Sequence, residues 1–112
     1  MGTGKLYIGL ANAHKRAKFY AISMAGVNED IIKNRYDIKN NQISTFNKKI
    51  SQLINENKRD TPNLVFKDIL KDSLNPLTFK NGQDVIKFLA DGINFNKNGA
   101  QIVFNLMTEG LL

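Results

Sequence analysis

The residue types that carry most catalytic and metal chemistry are scarce in this chain. Its 112 residues include one histidine, His14, and no cysteine. Without a second imidazole or a thiolate, the common zinc sites and the cysteine nucleophiles are excluded. Asp68 and Asp72 are four residues apart, but each follows a lysine, which is typical of solvated ion pairs on a helix. The sequence therefore predicts a protein that is not an enzyme and that holds no metal ion or cofactor.

Positive charge is the strongest chemical signal, and it is unevenly distributed. The net charge is +6. Residues 1–18 carry four bases and no acid, residues 19–60 carry seven bases and five acids, and residues 61–112 carry five of each. This asymmetry favours a polyanionic or acidic partner for residues 1–60. The alternative is that the charge serves only solubility.

The segment "AISMAGVNEDIIKNRY" (residues 21–36) contains parts of a helix-turn-helix motif. Gly26 would lie in the turn, and the second helix would enter a DNA groove, where asparagine suits adenine and arginine suits guanine or phosphate. Bases that precede the segment would neutralise phosphates. Ile22 and Glu29 depart from the motif, so the alternative is an ordinary helix–glycine–helix junction in a core. The predicted nucleic-acid-binding residues are Lys15, Arg16, Lys18, Lys33, Asn34 and Arg35.

Apolar periodicity predicts a mainly α fold: one compact domain over residues 1–112, with five or six short helices. Its basic half is residues 1–60, and its neutral, more apolar half is residues 61–112. Four predicted helices have recognisable N-caps or apolar stripes. One runs from the cap Asn12 to Ala25, one follows the cap Asn28, one begins at Thr45 with an apolar stripe at Phe46, Ile50, Leu53 and Ile54, and a fourth follows Thr61 and Pro62. A small β-hairpin near residues 36–46, or in the C-terminal third, is the alternative for those segments.

The tripeptide "KNG" occurs twice, at residues 80–82 and 97–99, each time before an apolar run. Asn81 and Asn98 would cap two short helices. "NG" is also a common hairpin turn, so two hairpins remain the alternative. Helices are favoured because the apolar residues after each copy do not alternate strictly.

These patterns predict a small basic nucleic-acid-binding protein, with DNA as the favoured partner. It would be a helix-turn-helix-like regulator or an accessory factor of a phage or other mobile element. The alternative is a protein-interaction module that binds an acidic protein surface and no nucleic acid: an adaptor, an inhibitor of a host protein, or a virion component. No apolar run approaches the roughly 18 residues that span a bilayer, so we expect a cytoplasmic protein with no membrane partner. A homodimer would suit either function.

Overall fold

The computed structural model describes residues 2–70 and 85–109, and all structural statements below concern these residues. In chain order the elements are α1 (Gly2–Ala13), β1 (Phe19–Ile22), α2 (Glu29–Ile32), α3 (Asn40–Glu56), β2 (Leu64–Lys67), a 3-10 helix (Ile86–Phe88) and α4 (Lys97–Thr108). None of the helices in this part of the chain is long and apolar enough to cross a membrane.

The two strands form a parallel sheet, in which Phe19 lies opposite Leu64 and Ile22 lies opposite Lys67. Parallel neighbours need a crossover connection, which α2 and α3 supply. The strand sequences FYAI and LVFK are rich in aromatic and branched residues that suit a pleated surface. The prediction of a mainly α fold with five or six helices is therefore wrong: the described chain is mixed α/β.

Both strands lie inside segments that were predicted to be helical. The helix expected between Asn12 and Ala25 is replaced by the end of α1, a loop and β1. The helix expected after Thr61 is replaced by β2 and by a turn at residues 69–70, and the rest of that predicted helix, from residue 71 on and including Asp72, lies outside the described residues. Periodicity cannot distinguish a short buried strand from a helical turn. The strands form because they pair with each other across a long stretch of sequence, which a local pattern does not show.

The two helices between the strands agree better with the sequence. Asn28 caps α2 as predicted, and its Oδ1 accepts a hydrogen bond from the Ile31 amide at 3.4 Å. Helix α3 contains the predicted stripe, with Ile50 and Ile54 buried, but it begins at Asn40 instead of Thr45. It therefore occupies much of the segment where a hairpin was the alternative, and residues 36–46 form no hairpin.

The main core lies between the sheet and the helices α1 and α3. Ala21 and Leu64, on one face of the sheet, pack against Ala11 of α1 and against Ile50 and Ile54 of α3. Helix α1 approaches α3 closely at the buried Gly4. A Cβ atom added there would overlap the side chain of Leu53, so this position needs a residue without a side chain. This core fixes where the two strands begin, and therefore where the loops that precede them lie.

Two asparagines of α3 hold the extended segment that follows β1. Asn47 accepts from the Met24 amide at 2.8 Å and donates to the Met24 carbonyl at 2.9 Å. Asn40 makes the same pair of bonds with Val27, at 2.8 and 3.0 Å. Each side-chain amide thus replaces a peptide group of a neighbouring strand, which satisfies backbone groups that would otherwise lack partners.

The second KNG copy opens a helix, as favoured, although the N-cap of α4 is Asn96 and not Asn98. The Oδ1 of Asn96 accepts from the Gly99 amide at 2.9 Å. The first copy, residues 80–82, lies outside the described residues. Between the two copies, Leu89 and Phe95 form an isolated antiparallel bridge, and the described residues do not extend this bridge into a hairpin. Gly92 connects this region to the rest of the chain, because its carbonyl accepts from the Asn28 amide at 2.9 Å.

Candidate nucleic-acid interface

Residues 14–18, between α1 and β1, carry three of the predicted binding residues on a loop and not on a helix. Asn63, just before β2, holds this loop: its Nδ2 lies 2.9 Å from the Ala11 and Ala17 carbonyl oxygens and 3.2 Å from that of His14. The backbone carbonyl of Asn63 accepts from the Phe19 amide at 2.7 Å. One asparagine therefore fixes the end of α1, the loop and the first residue of β1 against each other.

The turn that precedes β2 lies beside this loop because the strands are parallel and start at the same edge of the sheet. Thr61, which is 1% exposed, donates from Oγ1 to Asn12 Oδ1 at 3.1 Å. The Thr61 amide in turn donates to the Asn57 carbonyl at 2.8 Å. Asn12 and Thr61 were both predicted as N-caps, and the structure uses them instead to join the two connections.

These two connections place five bases at one edge of the sheet, and we call this set the basic edge. All five are exposed, and so is the single acid among them, Asp60. Within residues 2–70 and 85–109, the ion pair that does form joins Lys39 and Glu29 at 4.0 Å, and it uses none of these bases. The positive charge at this edge is therefore available to an external anion. The basic edge consists of Lys15, Arg16, Lys18, Lys58 and Arg59.

Aromatic rings lie directly beside these charges. The centroids of the His14 and Phe19 rings are 6.5 Å apart, with the ring planes inclined at 48°. The Nζ of Lys18 lies 5.4 Å from the centroid of the Tyr20 ring. His14 is exposed, whereas Phe19 and Tyr20 are half-buried. The edge thus combines cations with π-faces.

The structure does not bring the second predicted set to this edge. Lys33, Asn34 and Arg35 follow α2 in an exposed turn, close to the start of α3 in sequence. The basic edge lies instead near the end of α3, and 17 residues of helix between the two correspond to about 25 Å. The two predicted sets therefore cannot form one continuous surface at the edge.

The helices required for a helix-turn-helix are also missing from residues 21–36. The expected first helix is β1 followed by extended chain, and the expected second helix, α2, has only four residues. A four-residue helix is about 6 Å long and offers no extended face to a DNA groove. Residues 21–36 therefore do not form the motif, but the charge of Lys15, Arg16 and Lys18 remains at the edge of the sheet.

No family model, curated protein or solved structure matches this chain. The interpretation of the basic edge therefore depends on its geometry alone. Sequence reasoning missed Lys58 and Arg59, because they lie between two predicted helices and belong to no motif found in the sequence. The signal that could have found them is the pair of apolar runs at residues 19–22 and 64–67, each directly preceded by a segment with bases.

Proposed function

We propose that this protein binds nucleic acid through the basic edge. The observation that supports the proposal is that two connections, joined to each other through Thr61 and Asn63, carry five exposed bases at one end of the parallel sheet, and none of the five forms an ion pair within the described residues. Bases in this arrangement can neutralise several phosphates at once and release the counterions condensed on them. Fixed loops also lose little conformational freedom when they bind.

The proposed role is that of a cytoplasmic binding protein without catalytic activity and without a membrane partner. DNA is the first ligand to test, and a regulator or accessory factor of a phage or other mobile element is the proposed setting. Binding would not use a helix-turn-helix, because residues 21–36 do not form one. Contacts through loops to phosphates position a protein without reading sequence, so we expect weak sequence preference.

A salt series with charge variants tests this proposal. Fluorescence anisotropy of a labelled DNA oligonucleotide should give an affinity that falls steeply as salt rises, with a log–log slope of about −0.7 to −0.9 for each phosphate contact. Replacing Lys58 and Arg59 together by glutamine should weaken binding, and the slope should become shallower by the contribution of about two phosphate contacts. The matched control replaces Lys33 and Arg35 by glutamine as well. These two bases lie away from the edge, so the slope should stay unchanged.

Two results would contradict the proposal. One is the absence of binding even at low salt. The other is an equal loss of affinity in the edge variant and in the control variant, since that would indicate attraction to net charge and not to a defined surface. Circular dichroism of both variants shows whether they are folded before binding is measured.

A second candidate function, a protein-interaction module, is favoured by the solvent face of α1. Leu6 is 68% exposed and Leu10 is 47% exposed, one turn apart on the same helix. Gly9, beside them, has open space around it. An exposed apolar helix face of this kind suits a protein partner, including a second copy of this chain. Replacing Leu6 and Leu10 together by glutamine should then abolish self-association in size-exclusion chromatography while DNA binding stays unchanged.

A further inference from the structure

The rings of the basic edge are placed where a ligand with exposed bases could use them. His14 lies in the fixed loop, where its carbonyl accepts from the Ala17 amide at 3.1 Å and from Asn63 Nδ2 at 3.2 Å. Its imidazole makes no hydrogen bond within the described part of the chain, and its ring contact is with Phe19. The ring is exposed, so part of its surface is open to solvent.

Tyr20 supplies a second ring on the other side of the strand. Side chains alternate along a strand, and Phe19 and Ala21 both join the core beneath α1 and α3. Tyr20 must therefore point to the opposite face of the sheet, where it is half-buried. The ammonium of Lys18 lies 5.4 Å from the centroid of this ring. A phosphate could draw that ammonium away, and a base could then take its place on the ring.

The form of the nucleic acid follows from this combination. In a duplex the faces of the bases are stacked on one another, so rings beside the phosphate contacts would have nothing to stack on. Proteins that read duplex DNA insert a helix or a two-stranded ribbon into a groove, but the charges of the basic edge lie on two loops. A cationic surface with interleaved aromatic rings is instead the arrangement that binds single strands, whose bases stack on the rings.

We infer that the ligand of the basic edge is single-stranded nucleic acid, with bases that stack on the rings of His14 and Tyr20. This inference rests on the proposed function and adds the class of ligand to it. Lys15, Arg16 and Lys18 hold the backbone of the strand on one loop, and Lys58 and Arg59 hold it on the other.

The test compares three labelled ligands of equal length at one salt concentration: a single-stranded DNA oligonucleotide, its duplex, and a single strand made of abasic residues. The abasic strand keeps the phosphates and removes the bases. We expect the normal single strand to bind about tenfold or more tightly than the abasic strand, because each stacked base strengthens binding by roughly that factor. We also expect it to bind more tightly than the duplex.

Two pairs of variants assign the effect to the rings. Tyr20→Leu should lose about tenfold in affinity for the single strand, whereas Tyr20→Phe keeps the ring and should retain it. His14→Ala and His14→Phe form the second pair. The affinity of Tyr20→Leu and His14→Ala for the abasic strand should match that of the unaltered protein, which also shows that the variants are folded.

The outcomes separate this inference from the function on which it rests. Equal binding of the duplex, the single strand and the abasic strand would overturn the inference but leave nucleic-acid binding intact. Equal loss for Tyr20→Phe and Tyr20→Leu would also overturn it, because the ring would then have no part in binding. Absence of binding to all three ligands would overturn the proposed function as well.

Discussion

Replacing Asn63 by aspartate tests how the basic edge is held together. The substitution exchanges one NH2 group for an oxygen and keeps the shape of the side chain. In the native protein that group lies 2.9 Å from the carbonyl oxygens of Ala11 and Ala17 and 3.2 Å from that of His14. Because an amide has two N–H donors, at most two of these bonds are strong at one time. A carboxylate donates none and faces three oxygen atoms instead.

The expected loss follows from these contacts. Two hydrogen bonds at about 1 kcal/mol each, together with repulsion between the carboxylate and the carbonyl oxygens, predict a decrease of about 2–4 kcal/mol in the free energy of unfolding. The nearby bases would offset less than about 1 kcal/mol of this, since exposed charges are well solvated. For a domain of this size the melting temperature should fall by about 10 °C.

Urea unfolding followed by circular dichroism measures this loss, with Asn105→Asp as the matched control. Asn105 uses its side-chain oxygen, which accepts from Gln101 Nε2 at 3.0 Å, and aspartate keeps that acceptor. The control should change the free energy of unfolding by less than about 0.5 kcal/mol. If Asn63→Asp unfolds at the same urea concentration as Asn105→Asp, then Asn63 does not hold the loop and our account of the basic edge is wrong.

Two further predictions concern glycines and one carboxylate. Gly92→Ala should destabilise the protein by about 1–3 kcal/mol, because Gly92 has a φ of +91° and an added Cβ would lie 2.8 Å from Ile32 Cγ2. Gly9→Ala, on the open surface of α1, should instead stabilise the protein by about 0.5–1 kcal/mol. Urea unfolding checks the pair, because the two changes in the free energy of unfolding should have opposite signs. The pKa of Asp91 is lowered from 3.8 to about 2, chiefly by hydrogen bonds from the Asn94 and Ile93 amides. The folded state then binds fewer protons than the unfolded state, so the stability that the carboxylate contributes is complete above about pH 4 and is lost as the pH falls through about 2. Asp91→Asn should reduce this acid-dependent loss in urea titrations at several pH values, and an identical loss in both proteins would contradict the assignment.

The sequence could predict the elements whose signals are local. The cap at Asn28 and the apolar stripe at Ile50 and Ile54 of α3 depend on neighbours within a few residues, and the structure has both. The strands could not be predicted in the same way, because FYAI at residues 19–22 forms a strand only when it pairs with residues 64–67. The predicted fold class was wrong for this reason.

The candidate site shows the same division. The charge of Lys15, Arg16 and Lys18 is visible in the sequence, but their proximity to Lys58 and Arg59 depends on strand pairing. The asparagines also make contacts that the sequence does not predict. No local pattern predicts the contacts of three of the fifteen asparagines: Asn40 and Asn47 take the place of a neighbouring strand, and Asn63 joins two loops. Such contacts join residues far apart in the sequence and leave no periodic trace.

The parallel pairing of β1 and β2 has a consequence for the order of events during folding. Residues 23–63, which include α2 and α3, separate the two strands along the chain, and contacts so distant in sequence form slowly. Until then, the newly made chain has its full positive charge but neither loop in position. It would attract polyanions indiscriminately during that interval, and discrimination between ligands would begin only once the sheet has closed.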